Sequence, residues 1–393
     1  MMGSILLLTW EYPPYIVGGL GRHVSELARS LAQEKVSVHV LTVKRDEVDE
    51  EFEVQNNVVI HRVAPLMQTG SFLHWVASVN LAMEEKARAL IEQNDIDMIH
   101  AHDWIVAASS IILKRRMDIP LIATIHSTEA GRHNGIHTES QSFIDRQEKL
   151  LMAYADHLVV CSHFMRNELL HKYQQPSSTI SIIPNGVSKP MKKDRNLQFH
   201  FAQHRPYLFS LGRMVEEKGF DILIALAEKL KRKNTNLKII VAGEGPLLSY
   251  YRQKVRAKQI DEWIQFIGFV DEYERDNWMA YASLAIFPSL YEPFGIVALE
   301  AMAAGLPVVL AKTGGFIEMI IENESGVFFD PLDVVNLERK IDSLLSEPNF
   351  RSQIVSAAQK RIKTEFSWQS VAKQTLKVYR NHGRVNKFQR KGD

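Results

Sequence analysis

Cysteine is all but missing. Cys161 is the only one in 393 residues, so the chain can close no internal disulfide and build no cysteine-ligated metal centre. That economy suits a reducing compartment. Net charge is also nearly absent. Lys+Arg number 47 and Asp+Glu 46, for a formal charge of +1, which gives no broad field to draw in nucleic acid or an anionic membrane. Long apolar runs are lacking too. None reaches the roughly 18 residues of a spanning helix, and the longest candidate, residues 295–311, is interrupted by Glu300 and Pro307. Met1-Met2-Gly3-Ser4 has no basic region, and Ile5–Leu8 is too short for the core of an export signal. The expectation is a cytoplasmic chain with no nucleic-acid partner and no transmembrane segment, which leaves only peripheral membrane contact open. What is present is ordinary: 46% apolar and 24% charged residues, the composition of a globular protein. The length implies two or three domains.

The first forty residues set the architecture. Ser4–Thr9 (SILLLT) is a continuous apolar run, as expected of a strand covered on both faces. A Pro/Gly segment, WEYPPYIVGGLG, follows. Val24, Leu27, Ala28 and Leu31 then recur at helical spacing, and Val36–Val43 reads as the next strand. Further strands are expected at Val58–Val63, Asp97–Ala101, Leu121–His126, His157–Cys161 and Thr179–Ile183. Residues 184–206 lose all periodicity and read as an interdomain linker. A second start follows at Tyr207–Leu211, continued by strands at Leu237–Ala242, Ile264–Ile267, Leu284–Phe287 and Val308–Leu310. Alternating strands and helices predict an α/β protein with two doubly wound parallel sheets facing a central cleft, its ligands at the carboxyl ends of strands. The acidic run Asp46–Glu53 reads as a solvated loop, and Arg384, Lys387, Arg390 and Lys391 as a frayed basic tail.

Several segments at those strand ends can carry chemistry. Gly18-Gly19-Leu20-Gly21 lies between a strand and a helix, where glycines let amides approach a phosphate. Arg213 and Lys218, flanked by Gly212 and Gly219, follow the first strand of the second half, and two cations there suit a diphosphate. YEPFGIVALEAMAAGLPVV (291–309) holds Glu292 at a helix mouth and Glu300 within an apolar helix. A buried carboxylate needs a partner. Ribose hydroxyls are the expected partner of Glu300 in preference to a core Arg or Lys, and sugar hydroxyls that of Glu292. HAHDW (100–104) and TIHSTE (124–129), with His126, place histidines at strand ends as well. His126, His133 and His137 lack regular ligand spacing and are not read as a zinc site. Asp95-Ile96-Asp97 leads into the strand Asp97–Ala101, so the pair sits at its amino end and is not read as holding a metal. Trp10, Tyr12 and Trp104 could stack on a sugar or simply pack.

WEYPP…GGLGRHV, HAHDW, PNGV, LGR…EEKG, GEGP and EPFGIVALEAMAAGLPVV occur in the order found in one family. Through them the chain resembles the retaining, nucleotide-sugar-dependent glycosyltransferases of family 4, with the GT-B fold, and in its N-terminal motifs the bacterial glycogen synthases. The resemblance covers most of the chain. It implies an N-terminal acceptor-side domain (1–190), a C-terminal nucleotide-sugar domain (191–366) and a terminal segment (367–393) whose helix crosses back. It also implies roles: Gly18 and Gly19 near the diphosphate, Arg213 and Lys218 binding it, Glu292 on the donor sugar and Glu300 on the ribose. The backbone of Phe294, Gly295, Ile296 and Val297 would serve sugar and phosphate, the segment at Val270 the base, and His126 and Asp103 the sugar and acceptor side. The partners implied are a UDP-, ADP- or GDP-sugar donor and a saccharide or other hydroxyl acceptor. No cofactor and no metal are implied.

Two other readings share these residues. A sugar-nucleotide 2-epimerase would act on donor alone, and a silent sugar-nucleotide binder would leave the donor intact. Since Gly19 and the Arg213/Lys218 pair are assigned to one diphosphate from different domains, saturating nucleotide sugar should compact the particle. Small-angle scattering checks this, and an unchanged radius of gyration would count against a large closure.

Overall fold

The computed structural model describes residues 3–45, 50–66, 70–190, 194, 201 and 204–383. The chain divides into two compact units, Met1–Gly186 together with Trp368–Asp393, and Val187–Ser367. Much of the expected linker (191–193, 195–200 and 202–203), residues 46–49 of the acidic run, and the basic tail lie outside the described residues.

The first unit is built on eight strands: β1 (Ser4–Leu8), β2 (Ser37–Val43), β3 (Phe52–Gln55), β4 (Val58–Val63), β5 (Ile96–His102), β6 (Leu121–Ile125), β7 (His157–Val160) and β8 (Ile180–Ile182). Their order across the sheet is β3-β4-β2-β1-β5-β6-β7-β8. All neighbours are parallel except β3 and β4. Ile5, Leu6, Leu7 and Leu8 are fully buried, as a strand covered on both faces must be. The chain runs outward from β1 through β2 to β4, then returns to place β5 on the other side of β1. The loops after β1 and β5 therefore part in opposite directions.

The described part of the acidic segment corrects the solvated-loop reading. Phe52–Gln55 is an edge strand whose alternating residues pair antiparallel with β4 through Asn56-Asn57. Both asparagines have positive φ, 52° and 63°, the backbone that a two-residue hairpin requires. Glu53 is not simply solvated either, since it meets Arg62 at 2.9 Å.

The second unit has six parallel strands: β9 (Tyr207–Leu211), β10 (Lys238–Ala242), β11 (Ile264–Gly268), β12 (Leu284–Phe287), β13 (Val308–Ala311) and β14 (Val327–Phe329). Their order is β11-β10-β9-β12-β13-β14, which repeats the same reversal between β9 and β12. β14 is too short a run, Val-Phe-Phe, to have stood out from its neighbours in sequence.

The last described helix, Trp368–His382, belongs to the first unit. Its face of Trp368, Val371, Ala372, Leu376 and Tyr379 joins the core made with Val24, Leu27, Ala28 and Leu31 of the helix Gly19–Gln33. Gly186 makes room for the start of this helix. A β-carbon on Gly186 would lie 2.6 Å from Trp368 Cδ2 and 2.9 Å from the Trp368 backbone nitrogen. Backbone cannot step aside as a flexible side chain can. Gly186→Ala should therefore cost about 1–3 kcal/mol by overpacking, seen as a lower urea midpoint at unchanged slope.

Candidate functional site

In the second unit the site grows from the loops that part at the strand reversal. After β9, Gly212-Arg213-Met214 is backed by the GEGP loop, with the Met214 amide donating to the Glu244 carbonyl at 2.8 Å. Gly243 and Gly245 have φ of 128° and 152°, and a β-carbon on either would strike the 212–214 backbone. Arg213 is exposed. The following single 3-10 turn, Glu216–Lys218, ends at Gly219 with φ 67°. A β-carbon there would lie 2.3 Å from the Pro288 carbonyl oxygen. The Leu290 amide donates to the Glu217 carbonyl at 2.8 Å. These contacts lock the loop after β9 to the loop after β12.

The lock brings Lys218 Nζ to 2.7 Å from Glu292 Oε2, and the Ser289 hydroxyl donates to the same oxygen at 3.0 Å. Glu292 is buried. Its carboxylate is thus held by a cation and a hydroxyl beside the helix Ile296–Ala303, whose start carries no side-chain cap. The Ala298 amide donates to the Gly295 carbonyl at 3.0 Å, and the amides before it lie ahead of the helix's own carbonyls. Gly295 precedes that helix with φ 97° and backs onto Phe316, whose ring would lie 2.2 Å from an added β-carbon. Phe294 is buried and Ile296 and Val297 are half-buried. Val270 follows β11 at its carboxyl end, half-buried beside the exposed Phe269.

Glu300 requires a correction. The sequence reading preferred a ribose to a core Arg or Lys as the partner of its carboxylate. Instead Arg275 Nη1 lies 3.2 Å from Glu300 Oε1, and the same guanidinium holds Asp276 at 2.8 Å. The requirement that a buried carboxylate be paired is met inside the protein, so burial by itself does not assign Glu300 to a ligand. Arg275 lies in the largely polar helix Glu272–Tyr281, and nothing in its sequence marks it as the partner.

In the first unit the glycine loop is also already engaged. Glu11 Oε2 accepts the Val17 amide at 2.5 Å and the Gly18 amide at 3.1 Å, and Oε1 accepts the Gly21 amide at 3.1 Å. Gly21 is needed because the Glu11 side chain lies against it, 3.1 Å from an added β-carbon. The expectation that Gly18 offers its amide to a phosphate is therefore corrected, and Gly19, at the helix start, remains the loop's candidate. Burial pushes the Glu11 carboxyl up against the opposing pull of those three amides. The signal for Glu11 was its place in WEYPP, a carboxylate just upstream of an amide-rich turn.

His126 follows β6, and its amide donates to Asp103 Oδ1 at 2.7 Å. Asp103 has φ 60°, a backbone that costs a non-glycine residue about 1–3 kcal/mol and persists only where the surroundings impose it. Burial raises its carboxyl to about 6. His126 lies 3.2 Å from His102, Nε2 to Nδ1, and burial lowers its imidazole to about 3. It meets any substrate as a neutral ring. His133 and His137 lie outside this group: His133 faces Glu129, and His137 caps the His133 carbonyl. Asp97 lies within β5 near its amino end, its carboxylate beside Gly3. Tyr12 belongs to the core. Trp104 is buried, while Trp10 is half-buried with the Arg45 guanidinium over its ring.

Behind His126 stands a carboxylate cluster that sequence reasoning missed. Arg132 bonds the Ser127 hydroxyl and reaches Glu129 at 2.9 Å and Glu148 at 3.5 Å. Both Glu148 oxygens accept the Glu129 amide, at 2.9 and 3.0 Å. Burial raises Glu148 to about 8 despite Arg132.

Two family models cover the chain: glycosyltransferase family 4 over residues 17–189 and glycosyl transferases group 1 over residues 192–361. An uncharacterised glycosyltransferase of Methanocaldococcus jannaschii is 32% identical over 387 residues, 96% of this chain and 98% of that one. A glycogen synthase of Mycobacterium tuberculosis is 32% identical over 395 residues, 95% and 94% of the two chains. Among solved structures, sucrose-phosphate synthase from Thermosynechococcus elongatus superposes with a TM-score of 0.85 at 22% identity, covering 96% and 98%. The catalytic domain of Arabidopsis thaliana starch synthase IV, bound to ADP and acarbose, gives 0.77 at 16%, covering 97% and 99%. The fold of these neighbours is GT-B, as the sequence motifs implied.

Glu148 gives this cluster a pH signature. Its folded value, about 8, lies above the unfolded one, so the native state holds the extra proton between them. The contribution of Glu148 to stability should then fall as pH rises from about 5 to about 8, while buried histidines held below their usual value add a rise through the ordinary imidazole range. The Glu148 part is isolated by comparison: as pH rises across that range, wild-type denaturant midpoints should lose ground relative to those of Glu148→Gln, which cannot ionise.

Proposed function

The chain belongs to the glycosyltransferases of group 1 and family 4, which use nucleotide sugars, and from that premise we propose that it moves a hexosyl unit from a nucleotide-diphosphate sugar to a saccharide or other hydroxyl acceptor with retention and without a metal. The observation that carries the reading is the Lys218–Glu292 pair at 2.7 Å beside the helix that starts at Ile296. It sets a cation, a carboxylate and a row of helix amides at one strand reversal, where α/β sheets bind ligands.

In this reading the bond between the anomeric carbon and the phosphate oxygen breaks as the acceptor oxygen approaches from the same face. The acceptor proton passes to the departing phosphate. Negative charge collects on the nucleoside diphosphate, and Arg213, Lys218 and the amides at Gly295, Ile296 and Val297 stabilise it. Lys218 has three donor hydrogens, so it can hold Glu292 and a phosphate oxygen together. Glu292 bonds the donor sugar. Glu300 serves the ribose while still paired with Arg275, since a carboxylate has acceptor capacity for both. The backbone at Phe294 serves the sugar, and the backbone at Val270 borders the base. In the first unit Gly19 meets phosphate, and His126, held through Asp103, lines the acceptor side as a neutral hydrogen-bonding ring. The resemblance to glycogen synthases over 95% of the chain favours a glucan-type acceptor.

Ribose contacts persist from ground state to transition state, whereas the sugar changes charge and shape. Glu300→Gln should therefore chiefly raise the donor KM, and Glu292→Gln chiefly lower kcat. Arg213→Ala and Lys218→Ala should each lose roughly a hundred- to a thousand-fold in rate, about 2.7–4 kcal/mol. EDTA should leave the wild type active. Activity abolished by chelation and restored by magnesium or manganese would overturn the metal-free reading.

A further inference from the structure

The histidines of the first unit form a cluster that the transfer reaction does not use in full. His100 is closed to further bonding: its Nδ1 lies 2.6 Å from the Tyr379 hydroxyl and its Nε2 2.7 Å from the Thr124 hydroxyl. Three others behave differently. His102 and His126 face each other at 3.2 Å, nitrogen to nitrogen, and two neutral imidazoles can share only one proton there. The nitrogen that His102 turns to His126 is Nδ1, and this is its ligand atom; its Nε2 is buried with no hydrogen-bond partner. His23, on the helix Gly19–Gln33, places its ring 4.7 Å from that of His126 and 5.5 Å from that of His102, centre to centre. Its Nδ1 lies 2.6 Å from Asn185 Oδ1, which leaves Nε2 as its ligand atom.

We propose that His23, His102 and His126 form a binding site for a borderline divalent metal of the zinc class, and that filling it silences transfer by taking His126. The three candidate ligand nitrogens all lie within 4.8 Å of one another. Zinc–imidazole bonds of about 2.0–2.1 Å in a tetrahedron set the nitrogens about 3.4 Å apart. The His102–His126 contact already has about that spacing, and since all three nitrogens lie within 4.8 Å of one another, His23 has to close by at most about 1.4 Å. Burial keeps all three rings unprotonated at neutral pH, which is the form that ligates. Asn185 supplies the outer hydrogen bond that fixes the tautomer and aim of a ligating imidazole. An all-nitrogen set selects zinc, nickel or copper and rejects magnesium and calcium, which require oxygen. The fourth position is left to water. The binding half of the proposal is independent of the catalytic reading; the silencing half rests on it.

The test uses the full chain, stripped by EDTA and dialysed, with ZnCl2, CoCl2 and MgCl2 as probes. Calorimetry should show one zinc per chain, and cobalt should give the visible bands of a tetrahedral site. His126→Asn should weaken zinc binding by at least about 100-fold, and Asn185→Ala by about 10–100-fold, with circular dichroism and thermal melts confirming that both remain folded. The double variant His133→Ala/His137→Ala should bind as the wild type does. Zinc should abolish transfer and EDTA restore it, while magnesium does neither. Absence of stoichiometric zinc, or binding that survives His126→Asn and disappears with His133 and His137, overturns the site. Stoichiometric zinc with transfer unimpaired overturns the silencing. A chain with no transferase activity would leave the calorimetric and cobalt readouts to judge the site alone.

Discussion

Each sheet turns back on itself once, and that reversal fixes where chemistry can occur. In a parallel sheet every connection crosses from the carboxyl end of one strand to the amino end of the next. Where the direction of winding changes, two adjacent strands send their loops apart and leave their carboxyl ends uncovered. The reversals fall between β1 and β5 and between β9 and β12. WEYPP…GGLG and HAHDW leave the first pair. LGR…EEKG and the segment leading to EPFG leave the second. Without the reversal these motifs would be ordinary connections packed beneath helices.

A second regularity is that the candidate carboxylates come with partners. Glu11 accepts three amides, Glu292 has Lys218 and Ser289, and Glu300 has Arg275. An unpaired buried charge would be far costlier than any of these arrangements. A site of this kind offers a ligand shared partners in place of vacant charges. Binding then redistributes hydrogen bonds, and the net gain on adding a substrate is smaller than the sum of the contacts it makes.

Much of this was legible before the structure, for identifiable reasons. Largely apolar runs such as Ile5–Leu8 and Tyr207–Leu211 announce strands buried on both faces, and their ends move by a residue or so. β3 escaped because its alternation is short and lies beside an acidic stretch, although Asn56-Asn57 marked the hairpin. The site residues sit on motifs that occur as contiguous strings, so Lys218, Glu292 and His126 could be picked out. Their partners come from distant parts of the chain. Arg275 is 25 residues from Glu300 and Asn185 is 162 from His23, and no local pattern encodes such pairings. Glu300 shows the cost: an apolar helix with one carboxylate says that a partner exists, not which one. Among the readings of single groups, Gly18 failed in the same way, because Glu11 had to be placed before its amide could be counted.

The Glu11 bridge also bears on the entropy of the glycine loop. Glycine-rich turns lose more conformational freedom on ordering than any other backbone, and a loop ordered only by its ligand would subtract that loss from the affinity. Here the carboxylate ties residues 17, 18 and 21 to residue 11 before any ligand arrives. The ordering cost is met during folding, drawn from the burial of β1 and the helix it precedes. For a ligand at this loop, as proposed, affinity would in that sense be set by the hydrophobic core, and a core substitution that lets Glu11 shift would weaken a ligand it never touches.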